Sequence, residues 1–305
     1  MLHRVLNKET QYRLAAQAGI PTPRTYVLHS ADEIGEAIRS LGLPCLVKPV
    51  FSHRWVRAFQ DGTKLMMVRS HEDALRVFSK VVAKGLEVLL QEWIPGPDDH
   101  IYSIHLYMDK RGQILGLGTD RKLRQYLPRT GNGTLRVTTS NSAVTDLGIR
   151  TVEALEFSGL GNVEFRLDPR DGQFKLMELN GRATSALTIT SASGVDLPWI
   201  AYCDAIDRPI RAADVCKARV KWWYFEGDYM SYRIYRRRRE LTLFEWVKSV
   251  WGATSFAWFS RDDLKPFFKA TRRFVWRLRH RSTDALEEES ITRRVSVLNP
   301  KSYSE

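Results

Sequence analysis

"GNVEFRLDPRDGQFKLMELNGR", residues 161 to 182, predicts a β-hairpin with one unusual polar face. Side chains alternate between the two faces of a strand, so Glu164 points away from the apolar residues that flank it. On the returning strand, Glu178 and Asn180 share one face in the same way. A turn at residues 168 to 172 brings Glu164 close to the level of Glu178. The hairpin therefore gathers two carboxylates and an amide oxygen on one face.

That face has two interpretations. Two carboxylates so close repel each other unless a hard cation lies between them, and an oxygen-only ligand set suits Mg²⁺. Protein-bound Mg²⁺ usually also contacts substrate phosphates, so this interpretation implies a nucleotide. The alternative is a solvated polar face opposite a core face, which is common on strands of alternating hydrophobicity.

Two lysines upstream fit the phosphates of such a nucleotide. Lys8 opens the first predicted helix, and Lys48 ends the short apolar strand in "PCLVKPV". A fixed ammonium at the end of a buried strand is explained by a bound phosphate. The alternative is a lysine whose stem lies on apolar surface while its ammonium reaches water.

The segment "QEWIPGPDD", residues 91 to 99, is the candidate for binding the adenosine. Extended backbone at Glu92 and Ile94 can form hydrogen bonds with an adenine edge, and Asp98 beyond the turn can accept from ribose hydroxyls. The complete candidate set for the nucleotide is Lys8, Lys48, Gln91, Glu92, Trp93, Ile94 and Asp98.

Helix and strand signals alternate along the first two-thirds of the chain, which predicts an α+β architecture. Asn7 is expected to cap a helix that Gly19 ends, and Ser30 to form a capping box with Glu33. "YLPRTGNGT", residues 126 to 134, is expected to be a loop. We further expect a helix between Ser70 and Gly85, a hairpin of residues 101 to 108 and 113 to 119, and a helix from Ser142 to Ser158.

In their order along the chain, these segments resemble the ATP-grasp superfamily. Within it they are similar to carboxylate-amine ligases such as D-aspartate ligase and predicted ATP-dependent carboligases. The resemblance rests on "NKETQYRLAAQAGIPTPRTY", "PCLVKPV", "LLQEWIPGPDD", the opening hairpin and "SGVDLPWIAY", and it runs from residue 1 to about residue 210. It implies an ATP-grasp fold, in which two α+β subdomains clasp ATP.

The resemblance also implies roles for the candidate residues. Lys8 and Lys48 would contact the ATP phosphates, and the segment at 91 to 98 would bind the adenosine. Glu164, Glu178 and Asn180 would hold Mg²⁺, or Mn²⁺ in its place. The implied reaction transfers the ATP γ-phosphoryl group to a small-molecule carboxylate, and an amine then attacks the acylphosphate to form an amide or peptide-like bond.

Two cations are candidate catalytic residues. Arg182 would stabilise the acylphosphate or the tetrahedral intermediate, since a planar guanidinium can hold two oxygens at once. An exposed arginine at a strand end is the alternative. Lys122 in "DRKLRQYLPRTGNGT" is the candidate for a phosphate contact, and a solvated basic loop is the alternative.

The chain departs from the family pattern in two places. Family members usually carry about a hundred residues before the helix at Asn7, so we expect a truncated start, a partner that supplies that domain, or a lost part of the reaction. Where many members have a glycine-rich phosphate loop, "FSHRWVRAFQDGTK" contains only Gly62. His53, Arg54 and Arg57 either replace its N–H donors with cations or pack on another surface. An ATP-binding module without catalysis, or with catalysis that depends on a partner, is therefore the alternative function.

The composition changes after Pro209. Residues 211 to 305 contain 21 Lys/Arg and 12 Asp/Glu, most of the net charge of +12, and six of the nine tryptophans. The tryptophans either form core or give an amphipathic surface that contacts a membrane or a protein. Net charge alone, without a recognisable reader motif, does not predict a specific nucleic-acid partner.

We expect four parts in all. Residues 1 to 94 form the first ATP-grasp part, with the small nucleotide-clasping subdomain, and 95 to 210 form the large subdomain with the metal site. Residues 211 to 281 form a basic, Trp-rich, mostly helical extension packed on the core, with a helix over 241 to 251, and 282 to 305 form a flexible tail.

The overall composition excludes several classes of protein and of metal site. No stretch is long and apolar enough for a transmembrane helix, and the N-terminus lacks the apolar core of a signal peptide, which predicts a cytoplasmic protein. Three widely spaced cysteines fit neither a disulfide framework nor a zinc site. Neither the oligomeric state nor the identity of the acid and amine follows from the sequence.

Overall fold

The computed structural model describes residues 1–59, 65–210, 216–217 and 219–279. They divide into two units that are discontinuous in sequence. The first contains residues 1–96, 106–114 and 142–183, and the second contains 97–105, 115–141 and the chain from 184 onward. Gly62 and the predicted tail at 282 to 305 lie outside the described residues.

An antiparallel four-stranded sheet, in the order β1-β4-β2-β3, forms part of the first unit. The two central strands, β2 and β4, are buried on both faces. The largest side chain in the core against this sheet is Trp55, which is 1% exposed. The strands are β1 Thr25–Leu28, β2 Cys45–Pro49, β3 Met66–Val68 and β4 Val88–Glu92, and the helices beside them are α3 Ile34–Leu41, α4 Ser52–Ala58 and α5 His71–Val82.

Most helix caps in this unit agree with the sequence-based predictions. Asn7 accepts a hydrogen bond from the backbone of Thr10, and Ser70 accepts one from that of Asp73. The capping box at Ser30 was wrong, because that side chain caps nothing and a short 3₁₀ turn, Ala31–Glu33, precedes α3.

The same unit contains the hairpin predicted for residues 161 to 182. Strands β8 and β9 pair antiparallel, and Glu164 lies directly opposite Glu178, as predicted. The helix predicted from Ser142 to Ser158 is present but ends earlier, at Ala154. The elements are α1 Leu2–Leu6, α2 Lys8–Gln17, α6 Ser142–Ala154, β8 Gly159–Leu167 and β9 Phe174–Asn180.

Strands of the second unit pair in the order β11-β10-β7-β6. The loop predicted at residues 126 to 134 was too long, because Tyr126 ends β6 and Asn132 already begins β7. Strand β5, Ile101–Met108, contributes its first five residues to this unit. The other strands are β6 Ile114–Tyr126, β7 Asn132–Thr138, β10 Lys221–Trp223 and β11 Ala253–Phe256, and the helices are α7 Thr188–Ala192, α8 Leu197–Ala205, α9 Phe225–Arg237, α10 Leu243–Val250 and α11 Lys265–Arg279.

A buried carboxylate ties the basic C-terminal region to the rest of the second unit. Asp228 on α9 accepts two hydrogen bonds from the Arg124 guanidinium, at 2.8 and 2.9 Å, and one from Thr134. Both Trp223 and Trp246 donate their indole N–H to the same carboxylate, at 3.0 and 2.8 Å. Strand β10 also pairs with β7, so the region beyond residue 210 is built into the sheet of this unit.

The helix predicted over 241 to 251 is present as α10, with a capping box at Thr242 and Glu245. The predicted packing of this helix on the core is only partly correct. Trp246 stacks on Tyr232 with ring centroids 4.9 Å apart, whereas Leu243 is 54% exposed. Among the described residues, no helix combines the length and the apolar character needed to cross a membrane.

Candidate functional site

Helix α2 is fixed against strand β9 by a side chain that the sequence analysis did not single out. Gln11 donates to the carbonyl of Leu179 at 3.0 Å and accepts from its N–H at 2.8 Å, and it also donates to the carbonyl of Val5. One turn away from Lys8, Tyr12 donates to the carbonyl of Met177 at 2.7 Å. These bonds fix the helix N-terminus beside the polar face of the hairpin.

Lys8 and Glu178 form the central ion pair of that face. The ammonium lies 2.6 Å from the carboxylate, and Lys8 is 8% exposed. Burial alone would raise the pKa of Glu178, but the charge and hydrogen bond of Lys8, together with Asn180 and Lys48, outweigh burial and hold this pKa well below its usual range. Burial would likewise lower the pKa of Lys8, and Glu178 reverses this so that the pKa is raised. Both groups are therefore charged at neutral pH.

The other two predicted metal ligands lie beside Glu178. Asn180 donates its amide N–H to Glu178 at 2.9 Å, and Glu164 stands opposite Glu178 in the strand register. The charge of Glu164 also acts on Lys8 and contributes to its raised pKa. The hairpin thus brings the three predicted oxygen ligands together, with a cation against them.

Lys48 lies in the central strand of the first sheet and is also buried, at 8% exposure. Its ammonium donates to the side-chain carbonyl of Gln91 at 2.6 Å, and Gln91 donates in turn to Thr25 at 2.8 Å. The charge of Lys48 contributes to the low pKa of Glu178. Lys8 and Lys48 therefore act on the same carboxylate from two elements of the first unit.

The side chain of Glu92 has a structural role. Its carboxylate is 3% exposed and accepts from the backbone of Arg24 at 2.9 Å and from Arg170 at 3.1 Å, and it lies 3.7 Å from the ammonium of Lys175. Its backbone N–H donates to the carbonyl of Arg24 at 3.0 Å. Glu92 thus anchors the end of β4 before the segment predicted to hold adenine.

The next residues of that segment are also fixed. The guanidinium of Arg166 lies 5.4 Å from the centre of the Trp93 ring, and it donates to the carbonyls of Pro95 and Gly96. Ile94 is 2% exposed. The backbone between β4 and the following turn is therefore held by β8, the strand that carries Glu164.

Arg182 lies two residues beyond Asn180, in the exposed segment after β9. Its guanidinium donates to the carbonyl of Ala183 at 3.0 Å. The structure thus places it near the end of the polar face of the hairpin, with its side chain exposed to solvent.

Two predicted residues belong to the second unit. Lys122 is 4% exposed and lies 3.4 Å from the side-chain carbonyl of Gln125. It stands inside β6 and is buried, so the alternative of a solvated basic loop is wrong for Lys122. In the first unit, helix α4 carries the basic residues His53, Arg54 and Arg57. This segment was expected to be a loop.

Asp98, the predicted ribose acceptor, is already occupied by donors from the protein. One carboxylate oxygen accepts from the Gln125 side chain at 2.9 Å and from the backbone of Arg129 at 2.6 Å. The other accepts from the backbone of Gln125 at 2.9 Å and from the hydroxyl of Tyr235. In this geometry Asp98 orders the connection between β6 and β7, and a ribose hydroxyl would have to displace one of these donors.

A buried polar cluster on β5, β6 and β7 was not predicted. Asp120 accepts from Arg136 at 2.6 Å and lies 2.7 Å from a ring nitrogen of His105. Burial would raise the pKa of Asp120, but Arg136 and His105 together outweigh burial and lower this pKa. The available signal was the charged residue at every second position from Asp120 to Arg124, since Asp120, Lys122 and Arg124 fall on one face of a strand.

The ligand set can be compared with the needs of a metal. Within the described ranges, no three His, Cys, Asp or Glu side chains are placed to hold an ion together. Glu164, Glu178 and Asn180 supply oxygens of the type that Mg²⁺ binds, but too few for a complete octahedral shell. These residues fit a metal that also takes oxygens from a bound phosphate or from water.

The chain is similar in sequence to known ATP-grasp proteins and ligases. A family profile described as "ATP-grasp in the biosynthetic pathway with Ter operon" matches residues 116–223. The D-aspartate ligase of Enterococcus faecium is 22% identical over 205 residues, which cover 65% of this chain and 49% of the ligase. A D-alanine–D-alanine ligase of Pseudomonas putida is 29% identical over 172 residues, 53% of this chain and 50% of the ligase. The chain therefore spans about half the length of these curated relatives.

Solved structures show the same fold. The biotin carboxylase domain of the 2-oxoglutarate carboxylase of Hydrogenobacter thermophilus, solved with MgADP and bicarbonate, superposes with a TM-score of 0.58 at 19% identity. The match covers 71% of this chain and 49% of that chain. The chain therefore has an ATP-grasp fold, and in sequence it is similar to the D-aspartate and D-alanine–D-alanine ligases named above.

Proposed function

We propose that the protein is an ATP-dependent ligase that joins a small-molecule carboxylate to an amine through an acylphosphate. The observation that carries this proposal is the convergence of Lys8 and Lys48 on Glu178, with Glu164 and Asn180 beside it. On an ATP-grasp fold, two buried cations would bind the ATP phosphates, and the two carboxylates next to them would bind Mg²⁺. The relatives named above are a D-aspartate ligase and a D-alanine–D-alanine ligase, which supports the proposal.

Lys8 and Lys48 are assigned to the ATP phosphates. Both ammonium groups are held by side-chain acceptors, Glu178 and Gln91, so they are positioned before the nucleotide arrives. A buried cation needs a fixed partner, and a phosphate oxygen can share or replace that partner. Preorganised cations of this kind stabilise the negative charge on a phosphoryl group during transfer.

Glu164, Glu178 and Asn180 are assigned to Mg²⁺, with Mn²⁺ as an alternative of similar ligand preference. The bound ion would offset phosphate charge and fix the γ-phosphoryl group for attack. The low pKa of Glu178 keeps its carboxylate ionised and available as a ligand.

The segment from Gln91 to Ile94 is assigned to adenine. The N–H of Glu92 already donates within the protein, so the contact from this residue is made by its carbonyl, and Ile94 contributes its N–H. Trp93, held by Arg166, supports the segment. Donors from the protein already occupy the carboxylate of Asp98, so we assign this residue to holding the β6–β7 connection in place. A contact with ribose would require one of these donors to leave.

The chemistry proceeds in two balanced steps. A carboxylate oxygen of the acid attacks the γ-phosphorus, the bond to the bridging oxygen breaks, and ADP leaves. The amine nitrogen then attacks the acyl carbon, inorganic phosphate leaves, and the nitrogen loses a proton. Arg182 is assigned to the acylphosphate and the tetrahedral intermediate, and Lys122 to a phosphate contact.

A second function is favoured by one observation: the segment where many ATP-grasp enzymes have a glycine-rich phosphate loop forms helix α4, Ser52–Ala58. An ATP-binding module whose catalysis is lost or depends on a partner would bind Mg-ATP with the same residues. If its catalysis depends on a partner protein, addition of that partner would restore turnover.

Isotope transfer separates these two functions. Purified protein would be incubated with Mg-ATP, pooled amines and carboxylates labelled with ¹⁸O in the carboxyl group. The ligase proposal expects ¹⁸O in the released phosphate, lost in Glu178→Gln and retained in the surface control Glu153→Gln. Nucleotide binding without labelled phosphate would favour the module, and absence of nucleotide binding would overturn both.

A further inference from the structure

Helix α11 has one face packed on the protein and the opposite face exposed. Phe274 packs against Phe225 and Tyr229 of α9, with ring centroids 5.4 and 5.7 Å away, and Ala270 is 4% exposed. On the other side, Phe268 and Trp276 are 63% and 60% exposed. We call this outward surface the basic face, and it consists of Lys265, Phe268, Lys269, Arg272, Val275, Trp276 and Arg279.

The charge of α11 has a single sign. Its sequence, "KPFFKATRRFVWRLR", contains six Lys or Arg and no Asp or Glu. Spacings of three and four residues place the cations and the apolar side chains of the basic face on one side of the helix. Exposed aromatic side chains among cations on one helix face are typical of a helix that lies in the plane of a membrane interface.

A cavity of about 330 Å³ opens at the N-terminal half of this helix. Lys265, Lys269 and Arg273, four residues apart in each step, line it together with Trp258. The acid in its lining, Asp263, accepts a hydrogen bond from the backbone of Lys265 at 3.1 Å and so serves the start of the helix. Three cations around a concave space match a phosphate-bearing headgroup.

Helix α10 adds an apolar surface next to α11. Both helices pack on the same residue of α9, since Tyr229 contacts Trp246 of α10 and Phe274 of α11. Phe244 and, just past the end of α10, Trp251 are 76% and 80% exposed. Side chains as large as these are rarely so exposed on a surface that contacts only water.

We infer that the basic face and the neighbouring surface of α10 dock the protein on an anionic lipid bilayer. Charge complementarity selects this partner, because the cations of α11 would lie against lipid phosphates. Phe268, Trp276 and Trp251 would enter the headgroup boundary, whereas a nucleic acid offers no such apolar layer to Phe244. At about 1.5 Å per residue, α11 is about 22 Å long, and its cations keep it in the plane of the interface. This inference does not depend on the proposed ligase activity.

Vesicle co-sedimentation of the full chain tests the inference. Vesicles of seven parts phosphatidylcholine to three parts phosphatidylglycerol are expected to bind the protein at low salt, and pure phosphatidylcholine vesicles are not. At about 1 M NaCl, where the Debye length is about 3 Å, binding should be strongly reduced. Lys265→Gln/Lys269→Gln/Arg272→Gln should weaken binding about 100-fold, since each cation near an anionic surface contributes about 1 kcal/mol.

A charge-matched control makes the test specific. Arg13→Gln/Arg39→Gln/Lys110→Gln removes three exposed cations of the first unit and should leave vesicle binding unchanged. Phe268→Ser/Trp276→Ser retains every cation and should also lose binding, which separates docking from mere charge attraction. Circular dichroism checks that each variant is folded.

Three results would overturn the inference. These are no binding to anionic vesicles, equal loss in both triple variants, and full binding of the Phe268→Ser/Trp276→Ser variant. Binding of a single-stranded oligonucleotide in the absence of vesicle binding would assign the face to nucleic acid instead.

Discussion

The ammonium of Lys8 lies 2.6 Å from the carboxylate of Glu178, although 170 residues separate the two in sequence. Gln11 and Tyr12 bring them together by fixing α2 on β9. Because Lys48 also acts on Glu178, the first unit concentrates two cations at the hairpin.

Lys8→Met should weaken the binding of Mg-ATP about 10-fold to 100-fold, the range expected for one hydrogen bond to a charged group. The variant removes a cation whose position Glu178 fixes, so the negative charge of Glu178 and Glu164 near the phosphates is less well compensated. Isothermal titration calorimetry measures the change. The exposed Lys110→Met should bind Mg-ATP as the wild type does, and an unchanged affinity in Lys8→Met would remove Lys8 from the phosphate site.

Gln11→Ala should lower the free energy of unfolding by about 2 to 3 kcal/mol. Gln11 is 2% exposed, and its loss leaves buried backbone groups of Leu179 and Val5 without their partner. Urea unfolding measures this change. Gln17→Ala, at the exposed end of the same helix, should change stability by less than about 0.5 kcal/mol. Similar losses in both variants would mean that Gln11 does not hold α2 on β9.

Asp228→Ala should destabilise the protein by about 3 to 5 kcal/mol, because it leaves the buried guanidinium of Arg124 without its charge partner. Two indole N–H groups, of Trp223 and Trp246, lose their acceptor in the same step. Thermal and urea unfolding measure the loss.

The double variant Arg124→Met/Asp228→Leu should recover part of that loss, because it removes both buried charges together. Recovery is incomplete, since the indole groups remain without an acceptor. A double variant no more stable than Asp228→Ala would show that the ion pair is not the source of the loss.

The hairpin and its register could be predicted because they depend on local rules. Strand alternation and one turn were enough to set Glu164 opposite Glu178. The cap at Asn7 likewise depends on residues within one helical turn. Such patterns are contained in a short stretch of sequence.

Contacts between distant segments could not be predicted in this way. Nothing near Asp98 in sequence shows that Gln125, Arg129 and Tyr235 will occupy its oxygens. The exposure of one side of α10 could not be predicted for the same reason. Apolar spacing shows which residues share a face, but not whether other parts of the protein cover that face. Burial of charged groups is decided by tertiary partners, and these are known only from the fold.

Asp168→Asn should reduce stability at neutral pH and flatten the acid limb of the stability curve. Burial would raise the pKa of Asp168, but hydrogen bonds from Arg170 and Lys175 outweigh burial and hold this pKa well below its usual value of 3.8. A carboxyl group with a lowered pKa stabilises the fold above its unfolded pKa, and this contribution is lost as the pH falls through the folded value. Wild-type stability should therefore fall as the pH drops below about 4.

In the variant this part of the pH dependence is absent, so the difference in free energy of unfolding from wild type should be larger at about pH 7 than at about pH 3. Urea unfolding at both pH values measures it. Asp146→Asn, an exposed acid on α6, serves as the matched control, and its difference from wild type should change much less between the two pH values. If the Asp168→Asn and wild-type curves run parallel from neutral to acid pH, the ion pairs of Arg170 and Lys175 with Asp168 do not contribute to the fold as the geometry indicates.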